Sequence, residues 1–494
     1  MTLRQETKPF REMDRKRWMV RYLMLAAIGS VLAIKVYLLL FVVDLTVGLY
    51  SFITSFILFY YFFFSYTKYK DPYVDAENLV LTEENKPLVS MIIPVKNEED
   101  NIRNCVQSCI NSTYSKKEII VVDDASTDKT AEVLDDMRKQ EPSLKIIHLS
   151  KNVGKKQAIE AGSEISKGDI FLFMDSDCDI HSDAVEKAVK IFKLDRRIGA
   201  LTGHGRVRDP EGGNLLRKIE DVWFDGQFRV LKGMESSFSS LTCCSGALSL
   251  FRREAVKPYL HAWAHDKFAG MENFKFATDR RLTAFVLGVK ASDVMRDMKL
   301  SGMSTIDYDN KNNKNKNIPI LLQTGNDDLN TMKSSSDPDS NDQKKGPRYA
   351  WRILYSPSVR VNVGIPDSFS GLIKQQVRWR KSFIRSIFAT GGIYWRRPFG
   401  AALVYYLQLS LKLLRPFIIL KAMIFLPLMG DVVTASMYLV GAMYSGMLYG
   451  IDVRLRHPGY KLWIYRPLMT FLSTFVLSWL ILYAMITIRK EAWR

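Results

Sequence analysis

The sequence predicts an α/β domain with a mostly parallel sheet, placed between two apolar regions that are long enough to cross a membrane. In the middle of the chain, short apolar runs at 88–95, 117–124, 143–150 and 169–177 alternate with segments of helical periodicity. This alternation is typical of a parallel sheet with helices on its faces. Both ends of the chain are very apolar, so the mean hydropathy of -0.07 is an average over a polar middle and two apolar ends.

The N-terminal region predicts two transmembrane helices. A basic segment, residues 1–21, does not resemble a signal peptide, and residues 22–66 form an apolar stretch twice as long as the ~20 residues that cross a bilayer. We divide it near Asp44. Lys35 lies inside the first span, where it should face protein or a water-filled cavity. The basic N-terminus should stay cytoplasmic, and two crossings return the polar middle to the cytoplasm.

The first helix of the middle region illustrates the pattern. Residues 97–111 read as a helix with Ile102, Val106, Cys109 and Ile110 on one face. The five cysteines, at positions 105, 109, 178, 243 and 244, show no repeated metal-ligand spacing. We therefore expect reduced, mostly buried thiols and no zinc site.

Polar residues follow each of the four apolar runs. Because ligands bind beyond the carboxyl ends of parallel strands, these residues should share one rim of the sheet. They are Lys96, Asn97 and Glu98; then Asp123, Asp124, Ser126 and Asp128; then residues 152–158; and finally Asp175, Asp177 and Asp179.

The last of these clusters raises an electrostatic question. Asp175 and Asp177 are alternate residues, which point the same way on an extended chain. Two carboxylates at such close range raise each other's pKa, and a divalent cation removes that conflict. Hard oxygen ligands favour Mg²⁺ or Mn²⁺, with the remaining ligands coming from a diphosphate.

The motifs resemble those of processive family-2 glycosyltransferases, the membrane synthases of hyaluronan, chitin and cellulose. The order of the motifs covers about residues 87–303 and 348–494, and it is most similar to that of the hyaluronan synthases. The stretches that carry the resemblance are MIIPVKNEE, VVDDASTD, NVGKKQA, MDSD, CSGALSLFRRE, TDRRLT and QQVRWRKSF.

This resemblance implies a GT-A type catalytic domain at 87–303 that inverts the donor linkage and builds a β-linked polysaccharide. It also implies roles for particular residues. Asn97, Glu98, Asp124 and Lys155 would hold the nucleotide of a UDP-sugar, and Asp175 and Asp177 its diphosphate through the metal. Asp279 would be the general base. Gln375, Arg378 and Trp379 would contact the acceptor and the diphosphate.

Three departures from the family pattern separate this chain from hyaluronan synthases. Thr278 replaces an acid, Ala247 replaces a proline, and the chain stops at Trp493-Arg494 where bacterial hyaluronan synthases carry a closing loop. Hyaluronan, from UDP-GlcNAc and UDP-GlcA, remains the first choice of product. Chitin or a GlcNAc oligomer, non-processive transfer to a lipid phosphate, and a catalytically dead assembly subunit are the alternatives.

The C-terminal third contains an insertion, interfacial helices and a second membrane region. Residues 304–347 are rich in Asn, Lys, Ser and Asp and should be disordered. Residues 348–398 should complete the catalytic domain. Two helices, at 214–231 and around Trp379, have the basic and aromatic composition of helices that lie at a membrane interface. Apolar stretches at 399–429, 431–451 and 467–488 leave the number of spans open, because three crossings would put the basic tail outside.

The net charge of +18 suits anionic lipid and anionic nucleotide-sugars. Nucleic acid is a poor candidate partner, because the basic residues flank apolar spans and do not form a separate patch. We therefore expect a monomeric, multi-pass enzyme of the plasma membrane with a cytoplasmic catalytic domain.

Overall fold

The computed structural model describes residues 15–271, 273–288 and 351–490. Several sequence predictions lie outside these residues: the basic charges at positions 4, 8 and 11, the disordered insertion at 304–347, and the last four residues of the tail.

An eight-stranded sheet forms the centre of the catalytic domain, and the first four strands confirm the predicted apolar runs. Its strand order is β3-β2-β1-β4-β7-β6-β8-β5. Strands β1 to β4 are parallel, β7 is antiparallel to β4 and β6, and β8 is parallel to β6 but antiparallel to β5. The strands are β1 Val89–Val95, β2 Lys117–Asp123, β3 Lys145–His148, β4 Ile170–Phe173, β5 Cys178–Ile180, β6 Ile198–Val207, β7 Ser249–Arg252 and β8 Arg352–Val363.

The sheet is buried because its strands are almost wholly apolar and are covered by amphipathic helices. All seven residues of β1 are buried, and so are the four of β4. The helix predicted at 97–111 is observed as α4, Ile102–Ile110, with Ile102, Val106 and Cys109 buried.

Helices before and within the catalytic domain follow the chain in this order: α1 Arg15–Phe41, α2 Leu45–Thr67, α3 Pro72–Ala76, α4 Ile102–Ile110, α5 Thr130–Gln140, α6 Lys155–Ile165, α7 Ala184–Leu194, α8 Leu215–Gly226, α9 Gly233–Ser237, α10 Arg253–Val256, α11 Leu260–Ala264 and α12 Thr278–Gly288. A π-helical turn, Gln227–Lys232, joins α8 to α9.

The α-helices described after β8 are α13 Phe369–Ala389, α14 Gly391–Tyr394, α15 Phe399–Leu420, α16 Leu426–Leu428, α17 Val432–Arg456, α18 Arg466–Phe471 and α19 Leu480–Ile486. Between α18 and α19 the helix is interrupted by a π turn, Leu472–Val476, and a 3-10 turn, Leu477–Trp479.

Four described stretches are long and apolar enough to cross a membrane: Met19–Phe41, Leu45–Ala76, Val432–Arg456 and Leu462–Ile486. The predicted pair of N-terminal apolar helices is therefore present as α1, which ends before Asp44, and α2, which begins after it. Inside α1, Lys35 faces protein as expected, since its Nζ donates to Ser51 Oγ at 2.5 Å.

The contacts of α2 give the directions of two C-terminal helices. At the Asp44 end of α2, the Asp44 backbone N–H donates to Thr434 Oγ1 at 3.1 Å, and Lys421 Nζ lies 3.0 Å from the Asp44 carboxylate. At the other end, the Tyr66 hydroxyl donates to Asp452 Oδ1 at 2.7 Å. Helix α17 therefore runs parallel to α2, and α15, which ends next to Lys421, runs antiparallel to it.

The last apolar segment begins and ends beside the catalytic domain. Before it, the Tyr460 hydroxyl donates to Asp221 of α8. After it, Lys381 of α13 donates to the Lys490 carbonyl at 2.7 Å, and Arg489 Nε donates to the Ala269 carbonyl at 3.0 Å. Residues 489 and 490 thus lie against the catalytic domain.

The predicted helix at 214–231 is present, but protein covers its acidic side. Glu220, Asp221 and Asp225 are fully buried. Asp221 accepts from Arg206 Nε at 2.9 Å, and Asp225 accepts from Arg456 Nη1 at 3.2 Å. The first ion pair holds α8 against β6, and the second joins the catalytic domain to α17.

Candidate active site

A pocket lies at the carboxyl ends of the parallel strands, as the sequence predicted. Acidic and basic side chains from four successive strand ends line it, together with one arginine from α13. The lining includes Glu98, Asp124, Lys155, Asp175, Asp177 and Arg378.

The turn that carries Asp175 and Asp177 differs from the extended chain that the sequence analysis assumed. Strand β4 ends at Phe173, and the Cys178 N–H donates to the Asp175 carbonyl at 3.2 Å, which closes a tight turn. Both carboxylates line the pocket, as expected. The expected reason, the alternation of side chains along a strand, was wrong, because the tight turn places them there.

The two carboxylates are electrostatically coupled. Burial, and next the charge of Asp175, raise the pKa of Asp177 to about 6. The third carboxylate of the cluster, Asp179, is engaged elsewhere: it accepts from Arg208 Nε at 2.6 Å and from Asn362 Nδ2 at 2.6 Å.

Lys155, one of the cations that line this pocket, is the first residue of α6. Its ammonium is ion-paired with Asp175 and lies 3.9 Å from Asp279 Oδ1. Burial alone would lower the pKa of Lys155, but these two carboxylates more than offset it and the pKa is raised. The residue before it, Gly154, has a φ of 92°, which suits glycine at this sharp entry to α6.

Asp124 orders the loop that precedes α6. Its two carboxylate oxygens accept from the backbone N–H groups of Val153 at 2.6 Å and Gly154 at 2.8 Å. Burial raises its pKa, and these two hydrogen bonds oppose the rise. Asp124 therefore holds Lys155 in place besides lining the pocket.

Asn97 and Glu98 occupy the bend after β1. Asn97 has a φ of 52°, its N–H donates to Ser126 Oγ at 3.0 Å, and its Oδ1 accepts from the Thr127 N–H at 2.8 Å. Asn97 thus joins the ends of β1 and β2, while Glu98 lines the pocket itself.

Asp279 lies in the first turn of α12 and reaches the same cluster. Burial raises its pKa, the charge of Lys155 opposes that rise, and the charge of Asp175 adds to it. Thr278, where an acid was expected, lines no part of the pocket, and its carbonyl accepts from Trp263 Nε1 at 2.9 Å.

Gly246 separates Asp175 from Asp279, a feature the sequence analysis did not identify. Its carbonyl accepts from the Asp175 N–H at 3.0 Å, and its N–H donates to Asp279 Oδ2 at 3.0 Å. A Cβ at this position would lie 2.9 Å from both Asp279 oxygens and 3.0 Å from Asp175 Oδ2. The sequence shows Gly246 as the glycine of CSGALS. Only the fold shows that Asp175 lies on one side of it and Asp279 on the other.

Helix α13 brings the QQVRW residues beside the pocket. Gln375, Arg378 and Trp379 share one helix face, because residues three and four apart are neighbours. Arg378 lines the pocket. Trp379 stacks on Trp223 of α8, with ring centroids 5.5 Å apart and an angle of 14° between the planes. Gln375 is buried, and its side-chain oxygen has no hydrogen-bond partner among the described residues.

Asp266 is a second residue that the sequence analysis missed. It is buried, accepts from Arg281 Nε at 3.1 Å and from Arg385 Nη2 at 2.6 Å, and lies 3.6 Å from Lys156 Nζ. Its three cationic partners belong to α12, α13 and α6, which also carry Asp279, Arg378 and Lys155. One carboxylate therefore connects the three helices that supply the pocket.

Comparisons with known proteins agree with this arrangement. Residues 90–260 match the family described as "Glycosyl transferase family 2". The chain is 24% identical over 412 residues to hyaluronan synthase from Streptococcus pyogenes, covering 82% of each chain. It is 28% identical over 169 residues to poly-beta-1,6-N-acetyl-D-glucosamine synthase from Staphylococcus epidermidis, covering 34% of this chain and 40% of the relative.

A solved structure shares the fold. The mannosyltransferase PcManGT from Pyrobaculum calidifontis, in complex with GDP-Man and Mn²⁺, aligns with a TM-score of 0.50 at 16% identity, covering 89% of this chain and 97% of that chain.

The fold and the family match define the class of protein: a glycosyltransferase whose catalytic domain has the GT-A fold. Within that class, residues 90–260 match glycosyl transferase family 2, and the curated relatives named above are polysaccharide synthases.

Proposed function

We propose that the protein is a membrane-embedded, inverting, processive glycosyltransferase that polymerises UDP-sugars into a β-linked polysaccharide and translocates it. Hyaluronan, from UDP-GlcNAc and UDP-GlcA, is the proposed product. The observation that carries the proposal is the cluster in which Lys155 pairs with Asp175 and Asp279 on either side of Gly246. A pocket so lined suits an anionic diphosphate and a reacting hydroxyl.

The donor is held by the strand-end residues. Asn97, Glu98, Asp124 and Lys155 bind the nucleotide part. The carboxylates of Asp175 and Asp177 fit Mg²⁺ or Mn²⁺, because both are hard oxygen donors. A cation also relieves the repulsion from Asp175, which adds to burial in raising the pKa of Asp177. Such a cation, when bound, stabilises the charge of the leaving diphosphate.

Asp279 is the general base of the transfer. Its carboxylate accepts the proton of the acceptor hydroxyl while that oxygen bonds to the anomeric carbon, and the bond from this carbon to the diphosphate breaks to release UDP. A carboxylate whose pKa is raised by burial suits this role. The single displacement inverts the donor linkage.

The terminal sugar of the acceptor rests near Trp379, with Gln375 and Arg378 beside it. The stack of Trp379 on Trp223 supports this role, because it fixes the orientation of the indole. Flat aromatic faces pack against the apolar face of a sugar ring, and Arg378 places positive charge between the acceptor and the diphosphate.

Four helices cross the membrane in the proposed topology: α1, α2, α15 and α17. The contacts of Asp44 with Lys421 and Thr434 support this, because they require α15 to leave the catalytic side and α17 to return to it. Residues 462–486, both of whose ends contact the catalytic domain, do not cross the membrane in this topology. The even number keeps the basic N-terminus, the catalytic domain and the tail in the cytoplasm of a plasma-membrane enzyme.

Substrate incubations test the proposal. The purified protein, with Mn²⁺, is incubated with UDP-GlcNAc, with UDP-GlcA, and with both, and polymer is measured. We expect polymer only with both sugars and none from an Asp279→Asn variant, in which an amide replaces the base.

Other outcomes identify the alternatives. Polymer from UDP-GlcNAc alone excludes hyaluronan and favours a GlcNAc polymer, the product named for the Staphylococcus epidermidis relative. Full activity of Trp379→Ala favours non-processive transfer to a lipid phosphate. No hydrolysis or transfer of any UDP-sugar indicates a catalytically dead subunit.

A further inference from the structure

We propose that Glu160, His261 and His265 form a binding site for a transition-metal ion of the zinc class, separate from the Asp175–Asp177 carboxylates. One ligand atom from each of the three side chains lies within 4.8 Å of the other two. The expectation that the chain has no zinc site considered only cysteines, and it did not consider histidines that the fold brings to a glutamate.

The donors come from two elements that are distant in sequence. Glu160 lies on α6, His261 lies on α11, and His265 follows α11 by one residue. His261 Nδ1 lies 2.8 Å from Glu160 Oε1, and His265 Nδ1 lies 3.7 Å from Glu160 Oε2. The His261 nitrogen contacts the carboxylate directly, whereas His265 Nδ1 donates to the His261 carbonyl at 3.1 Å and would have to give up this hydrogen bond to bind an ion.

These separations suit one shared ion. Bond lengths of about 2.0 Å in a tetrahedral zinc site place neighbouring ligand atoms about 3.3 Å apart. The observed 2.8 and 3.7 Å lie on either side of that value. The His261 side chain is 82% exposed, so its ring can rotate to adjust. Two imidazoles and one carboxylate favour Zn²⁺, Ni²⁺ or Cu²⁺ over Mg²⁺.

An ion at this position would connect parts of the catalytic domain that matter for the pocket. Glu160 is five residues along α6 from Lys155, and His265 directly precedes Asp266, the carboxylate that connects three helices. The ion would fix α6 against α11 without contacting the substrate. Its role is therefore to stabilise the catalytic domain.

Zinc titration of the intact, tag-free protein tests this proposal. Excess Mg²⁺ is kept present to occupy the Asp175–Asp177 carboxylates, and zinc binding and the thermal midpoint are measured together. We expect one Zn²⁺ per chain and a raised thermal midpoint. His261→Ala and His265→Ala should each weaken zinc binding by at least ~10-fold, because each removes a ligand.

Two controls locate the ion. His181→Ala removes a histidine outside the cluster, and Asp177→Asn removes a carboxylate of the other site; both should bind zinc as the wild type does. The proposal is overturned if the His261 and His265 variants bind zinc with unchanged affinity, if Asp177→Asn alone abolishes binding, or if the wild type binds no zinc ion. None of these readouts depends on sugar transfer, so the proposed function can fail independently.

Discussion

At the scale of single residues, the candidate site depends on a position with no side chain. The backbone of Gly246 accepts a hydrogen bond from Asp175 and donates one to Asp279, so it spaces the two carboxylates. Asp175, Asp177 and Lys155 could be predicted as pocket residues from the sequence, because charged residues after apolar strands are conspicuous, whereas Asp279 was predicted only from the family resemblance. Gly246 could not, because its importance lies in neighbours that are distant in sequence.

The first prediction concerns that position. In Gly246→Ala, the new methyl group would lie 2.9 Å from the Asp279 oxygens and 3.0 Å from Asp175 Oδ2, so both carboxylates must move. Since displacement of a reacting group by about 1 Å can cost on the order of 100-fold in rate, we expect a loss of this size in UDP release. Gly459→Ala, where a Cβ meets nothing within 4 Å, is the control. Wild-type rates in Gly246→Ala would contradict the placement of the two carboxylates.

The second prediction concerns Glu220 on α8. The residue is fully buried and neither carboxylate oxygen has a hydrogen-bond partner among the described residues. Burial raises its pKa from an ordinary value of 4.5 to about 8. The folded protein therefore binds more protons than the unfolded chain between these values, and stability falls as the pH rises through them.

The thermal midpoint measured from pH 5 to pH 8 checks this dependence. In Glu220→Gln the amide has no charge to bury, so we expect the midpoint to decrease less with rising pH than it does in the wild type. Glu132→Gln, on the exposed surface of α5, should retain the wild-type dependence. Parallel curves for wild type and Glu220→Gln would show that Glu220 is not buried as a neutral acid.

At the scale of elements, the sequence predicted the first four strands and the helices between them, but it did not predict the second half of the sheet. Strand β6 contains Gly199, Gly203 and Gly205, which are unfavourable in strands. Strand β8 follows the insertion and pairs in parallel with β6 across about 150 residues. Local periodicity carries little information about pairing over such a distance.

The third prediction concerns how α6, α12 and α13 are held together. In Asp266→Asn, the cations of Lys156, Arg281 and Arg385 lose their shared carboxylate. Breaking a buried ion pair from one side costs about 3 kcal/mol. We therefore expect a lower thermal midpoint, and a lower kcat with little change in KM for the UDP-sugar at temperatures where the variant is folded.

The comparison variant for Asp266→Asn is Asp195→Asn. Asp195 also pairs with two arginines, Arg197 and Arg352, but these belong to neither α12 nor α13. Its loss should lower the thermal midpoint without lowering kcat. If both variants lose kcat in proportion to stability, Asp266 has only a structural role.

At the scale of the whole molecule, the number of crossings could not be decided from hydropathy. Helix α15 contains two charged residues, Lys412 and Arg415, which lower its mean hydropathy, whereas residues 462–486 contain only one, Arg466. Long-range contacts distinguish the two. Arg415 can lie within a membrane-spanning helix because its Nε donates to the Tyr50 hydroxyl of α2 at 3.2 Å.

The fourth prediction tests this topology with an impermeant thiol reagent applied to intact cells. Met429 precedes α17, near the Asp44 end of α2, and is 81% exposed, so Met429→Cys should react from outside. Gly459 lies between α17 and the last apolar segment, on the side of the catalytic domain, so Gly459→Cys should react only after permeabilisation. The native cysteines should stay unlabelled in intact cells, because those in the structure lie in the catalytic domain. The opposite pattern would mean that residues 462–486 cross and α15 does not, and it would reverse the proposed path of the chain through the membrane.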